Sequence, residues 1–313
     1  MKVGSEAAAA RPNEEVADLS IPVPEPFSFR ENCRYLAGAT QECLYAIRED
    51  GIYKAIPIGE EAPVVRIRES ADGRALEVRF LDRSPPSESA MIGVDRYIRD
   101  WFDLDRDLSP FYRLAERDEL LGRAVSAFPG LRNMGIPDLF EALAWGIIGQ
   151  QINLSFAYTL KRRLVERFGR SVTCGEMTYW TFPTANTVAE LTPEDLAPLR
   201  MTARKVEYLI GVARLLSEGR LSRESLLALG DLKQAEKALV GIRGIGPWTA
   251  HYVLMRCLRM PAAFPVDDVG LQLAIQHLTG MARKPTPAEI RQLAAGWQGW
   301  ESYATFYLWR FLY

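Results

Sequence analysis

The sequence has few histidines and few cysteines, and neither residue type occurs in closely spaced pairs. Its 313 residues include 2 histidines and 4 cysteines, and the cysteines form no Cys-x-x-Cys pair. Structural zinc sites and disulfide frameworks depend on such spacings. We therefore expect no zinc site, no disulfide framework and no other bound metal among the functional residues.

Long apolar runs and a strong net charge are absent as well. No apolar run is long enough to cross a bilayer, and the N-terminus has no basic and apolar signal pattern. These absences predict an intracellular protein with no membrane partner. The formal net charge of −2 differs from that of a generic basic nucleic-acid binder. Residues 200–259, however, hold eleven Lys and Arg against five Asp and Glu.

The most informative segment lies within this locally basic region. It begins with a turn that contains Gly241, Gly244 and Gly246, and a predicted helix starts at Pro247. Glycine allows positive φ and a close approach of the backbone, and proline is favoured at the first helical position. The unpaired N–H groups of such a turn and helix start are suited to hold a phosphate. The segment therefore predicts an anion site built from backbone.

Two adjacent carboxylates follow about twenty residues later. Asp267 and Asp268 precede a predicted helix that carries Val269 and Leu271. A carboxylate at a helix N-terminus is stabilised by the helix dipole and by unpaired N–H groups. Either feature alone is common, as a tight turn or as a helix cap. Together, and in this order, they indicate chemistry on a nucleotide.

The same residues resemble a known family, the helix-hairpin-helix DNA glycosylase superfamily. The resemblance lies in G-I-G-P-W-T-A at residues 244–250 and P-V-D-D at residues 265–268. Trp248 is similar to the tryptophan of the 3-methyladenine DNA glycosylase II branch. The likeness extends to G-I-I-G-Q-Q at residues 146–151 and W-Q-G-W-E-S-Y-A at residues 297–304. It implies a base excision repair enzyme that acts on double-stranded DNA containing damaged bases.

The apolar patterns and the resemblance together predict an α+β fold in three segments. Residues 1–25 lack apolar periodicity and are expected to be a mobile tail. Alternating apolar residues around two Asp-Gly dipeptides predict two hairpins, so residues 26–118 should form a small antiparallel sheet with packed helices. This segment shows no chemistry of its own. Residues 119–313 are predicted to form an all-helical helix-hairpin-helix glycosylase domain.

Catalysis is assigned to Asp268. Breaking the bond between base and sugar develops positive charge on the sugar, and a fixed carboxylate stabilises that charge and orients or deprotonates the attacking water. The superfamily pattern places an apolar residue three positions after the aspartate, and Leu271 fits Asp268 whereas Gly270 does not fit Asp267. We therefore expect Asp267 to cap or support the helix.

The base pocket is expected to be aromatic. Trp248 and Tyr252 lie four residues apart and so share one helix face, and the resemblance adds Trp309 as a pocket wall. Electron-rich rings bind a cationic alkylated purine by stacking and by cation–π attraction of about 0.5–2 kcal/mol each. Such a base leaves without a general acid. His251 is expected either to line the pocket or to be structural.

The DNA contacts are expected in two segments. In the hairpin they come from Gly241, Arg243, Gly244, Gly246 and Thr249. In G-I-I-G-Q-Q, the resemblance implies that Gln150 and Gln151 face DNA. Gln151 stands where the superfamily carries the residue that fills the gap left by the extruded nucleotide, and Ile152 is a second candidate. The alternative reading of this segment is a close helix crossing.

These residues predict a monofunctional glycosylase for alkylated purines of the 3-methyladenine and 7-methylguanine type. Relatives that also cut the backbone use a lysine at the position of Trp248, and an indole cannot form a Schiff base. We expect a monomer with no cofactor. Relatives hold a monovalent cation in the hairpin, and the sequence leaves open whether this chain does. Two alternatives stay open: a glycosylase for oxidised or deaminated bases, and a non-catalytic DNA-binding protein.

Overall fold

The first part of the chain is a five-stranded antiparallel sheet, seen in a computed structural model that describes residues 17–81 and 86–312. Its strands are β1 Leu19–Pro22, β2 Ala46–Arg48, β3 Gly51–Ala55, β4 Val64–Glu69 and β5 Ala75–Phe80. Their spatial order is β1-β5-β4-β3-β2. Both predicted hairpins are confirmed, since Arg48 pairs with Gly51 across one turn and Glu69 pairs with Leu76 across the other.

The predicted mobile tail at residues 1–25 is wrong in its last third. Leu19–Pro22 pairs with β5 at the edge of the sheet, and Ile21 is fully buried. Two apolar residues in alternation were too short a signal against the neighbouring prolines, although proline is compatible with an edge strand. Residues 1–16 lie outside the described residues.

Four helices lie in this part of the chain; the first two contact the sheet, and the third and fourth contact each other. They are α1 Phe29–Gly38, α2 Glu88–Phe102, α3 Ser109–Ala115 and α4 Glu119–Ala127. In α2 the apolar residues Val94, Ile98 and Trp101 recur at helical spacing and are buried.

The second part of the described chain is mainly helical. Its longer helices are α5 Leu139–Ile148, α6 Leu154–Phe168, α9 Ala203–Ser217, α11 Leu232–Val240, α12 Pro247–Arg256, α13 Val269–Thr279 and α15 Glu301–Trp309. The shorter ones are α7 Ala185–Ala189, α8 Pro193–Leu196, α10 Arg223–Leu227 and α14 Pro287–Leu293. Two 3₁₀ turns occupy Ala197–Leu199 and Ala294–Gly296.

The prediction that residues 119–313 are all-helical is wrong at one hairpin. Strands β6 Ser171–Cys174 and β7 Met177–Trp180 pair antiparallel after α6. The Tyr179 ring lies 6.4 Å from the Tyr53 ring of β3, so this hairpin packs against the N-terminal sheet. The alternating β-branched and aromatic residues around Gly175 are a strand signal that the helical pattern on both sides concealed.

One continuous cluster of buried apolar side chains runs through both parts of the described chain. The Tyr35 ring of α1 lies 4.5 Å from the Phe306 ring of α15, which joins the N-terminal part to the last helix. Aspartate side chains cap two of these helices: Asp138 accepts the Glu141 N–H at 2.7 Å before α5, and Asp231 accepts the Lys233 N–H at 3.3 Å before α11.

Helices α5 and α12 cross at close range. A Cβ at Gly146 of α5 would lie 2.4 Å from Cγ2 of Thr249, which is 2 % exposed in the first turn of α12. The close-crossing interpretation of Gly146 is therefore confirmed. The glycine sets how near the hairpin helix α12 comes to α5.

The variant Gly146→Ala should destabilise the protein by about 1–3 kcal/mol, because the added methyl group overpacks a buried contact. Gly211→Ala is the matched control: Gly211 is also inside a helix, but its Cβ would meet nothing within 4 Å. That change should be neutral or stabilising by up to about 1 kcal/mol. Urea unfolding measures both, and equal effects would contradict the tight crossing.

Candidate active site

Asp268 is the N-cap of α13 and is 9 % exposed. Its Oδ1 accepts the Leu271 backbone N–H at 2.7 Å, which satisfies one of the unpaired donors of the helix start. The N-cap is Asp268 and Asp267 is exposed, so the expectation that Asp267 caps the helix is wrong, and a supporting role for Asp267 stays a prediction. One residue, Asp268, is both the cap and the buried carboxylate. The extended backbone angles of Asp268 (φ −68°, ψ 124°) turn its side chain onto the helix start.

Two indole rings also bind the Asp268 carboxylate. The Trp248 Nε1–H donates to Oδ2 at 2.8 Å, and the Trp309 Nε1–H donates to Oδ1 at 2.8 Å. Charge-assisted hydrogen bonds of this kind are strong and fix the direction of the carboxylate. The sequence pointed to both tryptophans as pocket walls. Nothing in it indicated that their N–H groups hold the aspartate.

Close approach of Trp309 depends on a glycine. A Cβ at Gly270 would lie 2.9 Å from Oδ1 of Asp268 and 3.3 Å from the Trp309 indole. A side chain at this position would therefore push the indole away from the carboxylate. A glycine in the first turn of a predicted helix, two residues after a candidate catalytic aspartate, is a signal that could have identified this constraint.

The predicted aromatic face is present. The rings of Trp248 and Tyr252 are stacked with centroids 5.4 Å apart and an interplanar angle of 24°. The Tyr252 and Trp309 rings lie 6.4 Å apart. Arg256 holds this face in place, since its Nη1 lies 3.2 Å from the Tyr252 hydroxyl and its Nε donates to the Met134 carbonyl at 2.6 Å.

A cavity of about 230 Å³ opens in front of Asp268, Tyr252 and Trp309. The N-terminal part also contributes to its wall, with residues that include Lys54 of β3 and Trp101 of α2. Residues of this part therefore line the cavity, although the sequence of this part shows no chemistry of its own. Sequence analysis could not find these residues, since the pairing of the two parts is a long-range feature.

A buried ion cluster forms part of the cavity wall. The Lys161 ammonium lies 2.9 Å from a carboxylate oxygen of Glu42 and 2.9 Å from one of Glu141. Burial alone would raise the pKa of Glu42, but Lys161 and the N–H groups of Cys43 and Leu44 hold that pKa below its ordinary value. The cluster joins α6 and α5 to the loop before β2.

The hairpin between α11 and α12 has the expected turn, with a correction to its glycines. Gly244 has φ +94°, and a Cβ there would lie 2.3 Å from the Tyr208 ring. Both the backbone conformation and the lack of space for a side chain therefore require glycine. Gly241 (φ −66°) and Gly246 (φ −91°) do not have the positive φ that was expected. Among the described residues, the N–H groups of Gly244 and Gly246 have no protein acceptor.

Two other hairpin residues expected to contact DNA differ in their exposure to solvent. Arg243 is highly exposed beside the turn and lies 3.0 Å from Glu207. The Thr249 side chain is buried against Gly146, so its predicted contact with DNA is wrong for the side chain.

The loop between α5 and α6 meets the hairpin. The Gln150 side chain donates to the Gly244 carbonyl at 2.8 Å, so it holds the hairpin and the loop together. Gln151 is exposed and has φ +57°, a conformation that is uncommon for residues other than glycine. Ile152, the second candidate for the residue that fills the gap in the duplex, is half-buried.

His251 has the structural role, the second of the two alternatives. Its Nδ1 accepts the Phe264 N–H at 3.0 Å, and its Nε2 lies 3.3 Å from Glu236. Burial lowers the pKa of His251, partly offset by Glu236. The ring therefore ties α11 to the segment that leads to Asp268.

Comparison with known proteins agrees with this geometry. Residues 144–299 match the model of the HhH-GPD superfamily base excision DNA repair protein, and residues 18–138 match the AlkA N-terminal domain. A "DNA-3-methyladenine glycosylase" of Bacillus subtilis (strain 168) is 51 % identical over 301 residues, which cover 96 % of this chain and 99 % of that protein. The chain belongs to the HhH-GPD superfamily. The family membership predicted from the motifs within residues 244–268 is thereby confirmed.

Solved structures confirm the predicted fold of this HhH-GPD protein. A "3-methyladenine dna-glycosylase from Archaeoglobus fulgidus" superposes with a TM-score of 0.78 at 22 % identity, over 94 % of this chain and 98 % of the other. An 8-oxoguanine glycosylase/lyase of Clostridium acetobutylicum, solved with double-stranded DNA, gives 0.72 at 20 % identity over 95 % and 98 %. Proteins of this superfamily repair DNA, so DNA is the partner. Within the described ranges, no helix combines the length and apolarity needed to cross a bilayer.

The variant Arg243→Glu should weaken binding to all DNA duplexes alike and reduce the salt dependence of binding, because a phosphate contact carries no sequence information. Arg220→Glu is a matched control, since Arg220 is also exposed and paired with a glutamate, Glu218. It lies beyond the end of α9, and that end, Ser217, is about 15 Å along the axis from Glu207. Binding titrations at several salt concentrations test this. Altered base preference in Arg243→Glu would contradict a phosphate contact.

Proposed function

We propose that this HhH-GPD protein is a monofunctional DNA glycosylase for alkylated purines of the 3-methyladenine and 7-methylguanine type. The observation that carries the proposal is the Asp268 carboxylate, which two indoles and a helix N-terminus hold at the wall of an aromatic cavity. The name of the Bacillus subtilis relative, which shares half of its residues with this chain, supports the same substrate class.

The reaction begins with extrusion of the damaged nucleotide from the duplex, which costs a few kcal/mol and least for a damaged or mispaired base. The unpaired N–H groups of the hairpin turn and Arg243 hold the phosphate backbone. Gln151, exposed at the tip of the loop between α5 and α6, fills the gap in the duplex. The extruded base then enters the cavity in front of Asp268.

Cleavage breaks the bond between C1′ of the sugar and N9 of the purine. The bonding electrons leave with the base, and positive charge develops on the sugar ring next to the Asp268 carboxylate. That carboxylate stabilises the charge, and it orients or deprotonates the water whose oxygen attacks C1′. The indoles of Trp248 and Trp309 keep it aimed at this point. The products are a free base and an abasic site.

The aromatic rings select a cationic base. Tyr252 and Trp309 line the cavity, and the Trp248 ring backs Tyr252. Stacking and cation–π attraction on these rings favour an alkylated purine over a neutral one by about 0.5–2 kcal/mol per ring. Because the alkylated base already carries positive charge, no acid beside its leaving nitrogen is needed.

Cleavage of the DNA backbone is left to another enzyme in this proposal. Trp248 occupies the position at which lyases of the superfamily carry their lysine nucleophile, and its indole is engaged with Asp268. The protein acts as a monomer, since one chain supplies Asp268 and both walls of the cavity. A monovalent cation in the hairpin stays a prediction.

The direct test is release of free bases from methylated duplex DNA, resolved by chromatography. The protein should release 3-methyladenine and 7-methylguanine and leave abasic sites, while borohydride treatment should trap no covalent protein–DNA adduct. A trapped adduct would contradict the monofunctional mechanism. Release of oxidised or deaminated bases alone would show that the substrates are those bases and not alkylated purines. Duplex binding without release of any base would show a non-catalytic DNA-binding protein.

A further inference from the structure

Lys54 places a buried ammonium group in the wall of the cavity that Asp268 also lines. The residue lies in β3, is 4 % exposed and lines the same cavity as Asp268. Its Nζ lies 5.6 Å from the ring centroid of Tyr97 and 5.4 Å from that of Trp101. An aromatic setting of this kind attracts a cation and leaves its N–H donors available.

The ammonium of Lys54 has N–H donors that no described protein group accepts. It carries three N–H groups, and among the described residues it has one hydrogen-bond acceptor, the Leu44 carbonyl at 3.1 Å. Burial lowers the pKa of Lys54, against the raising fields of Glu141 and Glu42. A buried polar group with unused donors is costly unless something binds them.

The neighbouring lysine shows the contrast. Lys161 is held by both Glu42 and Glu141, each at 2.9 Å, so these carboxylates pair with Lys161 and not at ion-pair distance with Lys54. Lys161 therefore contributes to the rigidity of the wall. Lys54 is the cation of this wall whose donors are left for a ligand in the cavity.

A purine in this cavity has a defined orientation. Its N9 must lie near Asp268, because that carboxylate acts on the bond between N9 and the sugar. The six-membered ring, which carries the substituent at C6, then points away from Asp268 and into the cavity that Lys54 also lines. An oxygen at C6 accepts a hydrogen bond from an ammonium, whereas an amino group at C6 presents donors against donors.

We propose that Lys54 is a specificity residue that donates a hydrogen bond to the oxygen at C6 of the extruded purine. It thereby favours purines with an oxygen at C6, such as 7-methylguanine and deaminated adenine, over purines with an amino group there, such as 3-methyladenine. This inference rests on the proposed glycosylase function and adds to it the part of the base that is read.

The test compares wild type with Lys54→Met, which keeps the side-chain length and removes the ammonium. Release of 7-methylguanine and of 3-methyladenine is measured from the same methylated duplex, and the ratio of the two rates is compared. The ratio should fall about tenfold in Lys54→Met, since a hydrogen bond to a charged group is lost for one base only.

Lys205→Met is the matched control. Lys205 is also buried and donates to one backbone carbonyl, that of Ile148 at 2.7 Å, but it does not line the cavity. It should destabilise the protein without changing the ratio. An unchanged ratio in folded Lys54→Met, or equal changes in both variants, would overturn the inference. So would a borohydride-trapped adduct that Lys54→Met abolishes, because Lys54 would then be a nucleophile.

A second measurement needs no variant and stays informative if Lys54→Met does not fold. Wild-type protein is given duplexes that contain one hypoxanthine or one purine without a substituent at C6. Each rate is divided by the rate of acid hydrolysis of the same nucleoside, to remove differences in leaving ability. The hypoxanthine value should be about tenfold higher, and equal values would overturn the inference. If wild type releases no methylated base at all, the proposed function itself fails, which is a separate outcome.

Discussion

The buried carboxylate of Asp268 is the constraint on which the rest of this site depends. A charge removed from water is tolerated when hydrogen bonds replace its hydration. Here they come from three elements: the Leu271 N–H of α13, the Trp248 indole of α12 and the Trp309 indole of α15. The need to satisfy one anion therefore fixes three helices relative to one another, and Gly270 leaves the space in which they meet.

The same helix that donates to Asp268 also begins at the hairpin. Helix α12 starts with the turn that leaves N–H groups free, crosses α5 closely at Gly146, and carries Trp248 and Tyr252 one turn apart. Gln150 and His251 tie the neighbouring loop and α11 to this unit. The residues that we propose to bind the DNA backbone and those that we propose to bind the base thus belong to one packed unit. In the proposed function, this unit directs the extruded nucleotide of a duplex held at the hairpin to one cavity.

Local signals in the sequence were sufficient for much of this arrangement. The turn at Gly244, the two Asp-Gly hairpins and the shared helix face of Trp248 and Tyr252 involve residues close in the chain, and the structure confirms them. What local signals could not reveal are contacts between distant residues. The bond from Trp309 to Asp268 spans 41 residues, and Lys54 reaches the cavity only because the sheet packs against the helical part.

The measurement that tests the central claim most directly compares two neighbouring carboxylates. Single-turnover release of methylated bases is followed for Asp268→Asn and Asp267→Asn, each at saturating protein concentration. Asp268→Asn should lose about a thousandfold or more in rate, since the amide carries no charge, and should still bind the duplex. The rate of Asp267→Asn should stay within about twofold of the wild-type rate, because Asp267 is exposed and the two indoles bond to Asp268 instead. Similar rates for the two variants would contradict the account.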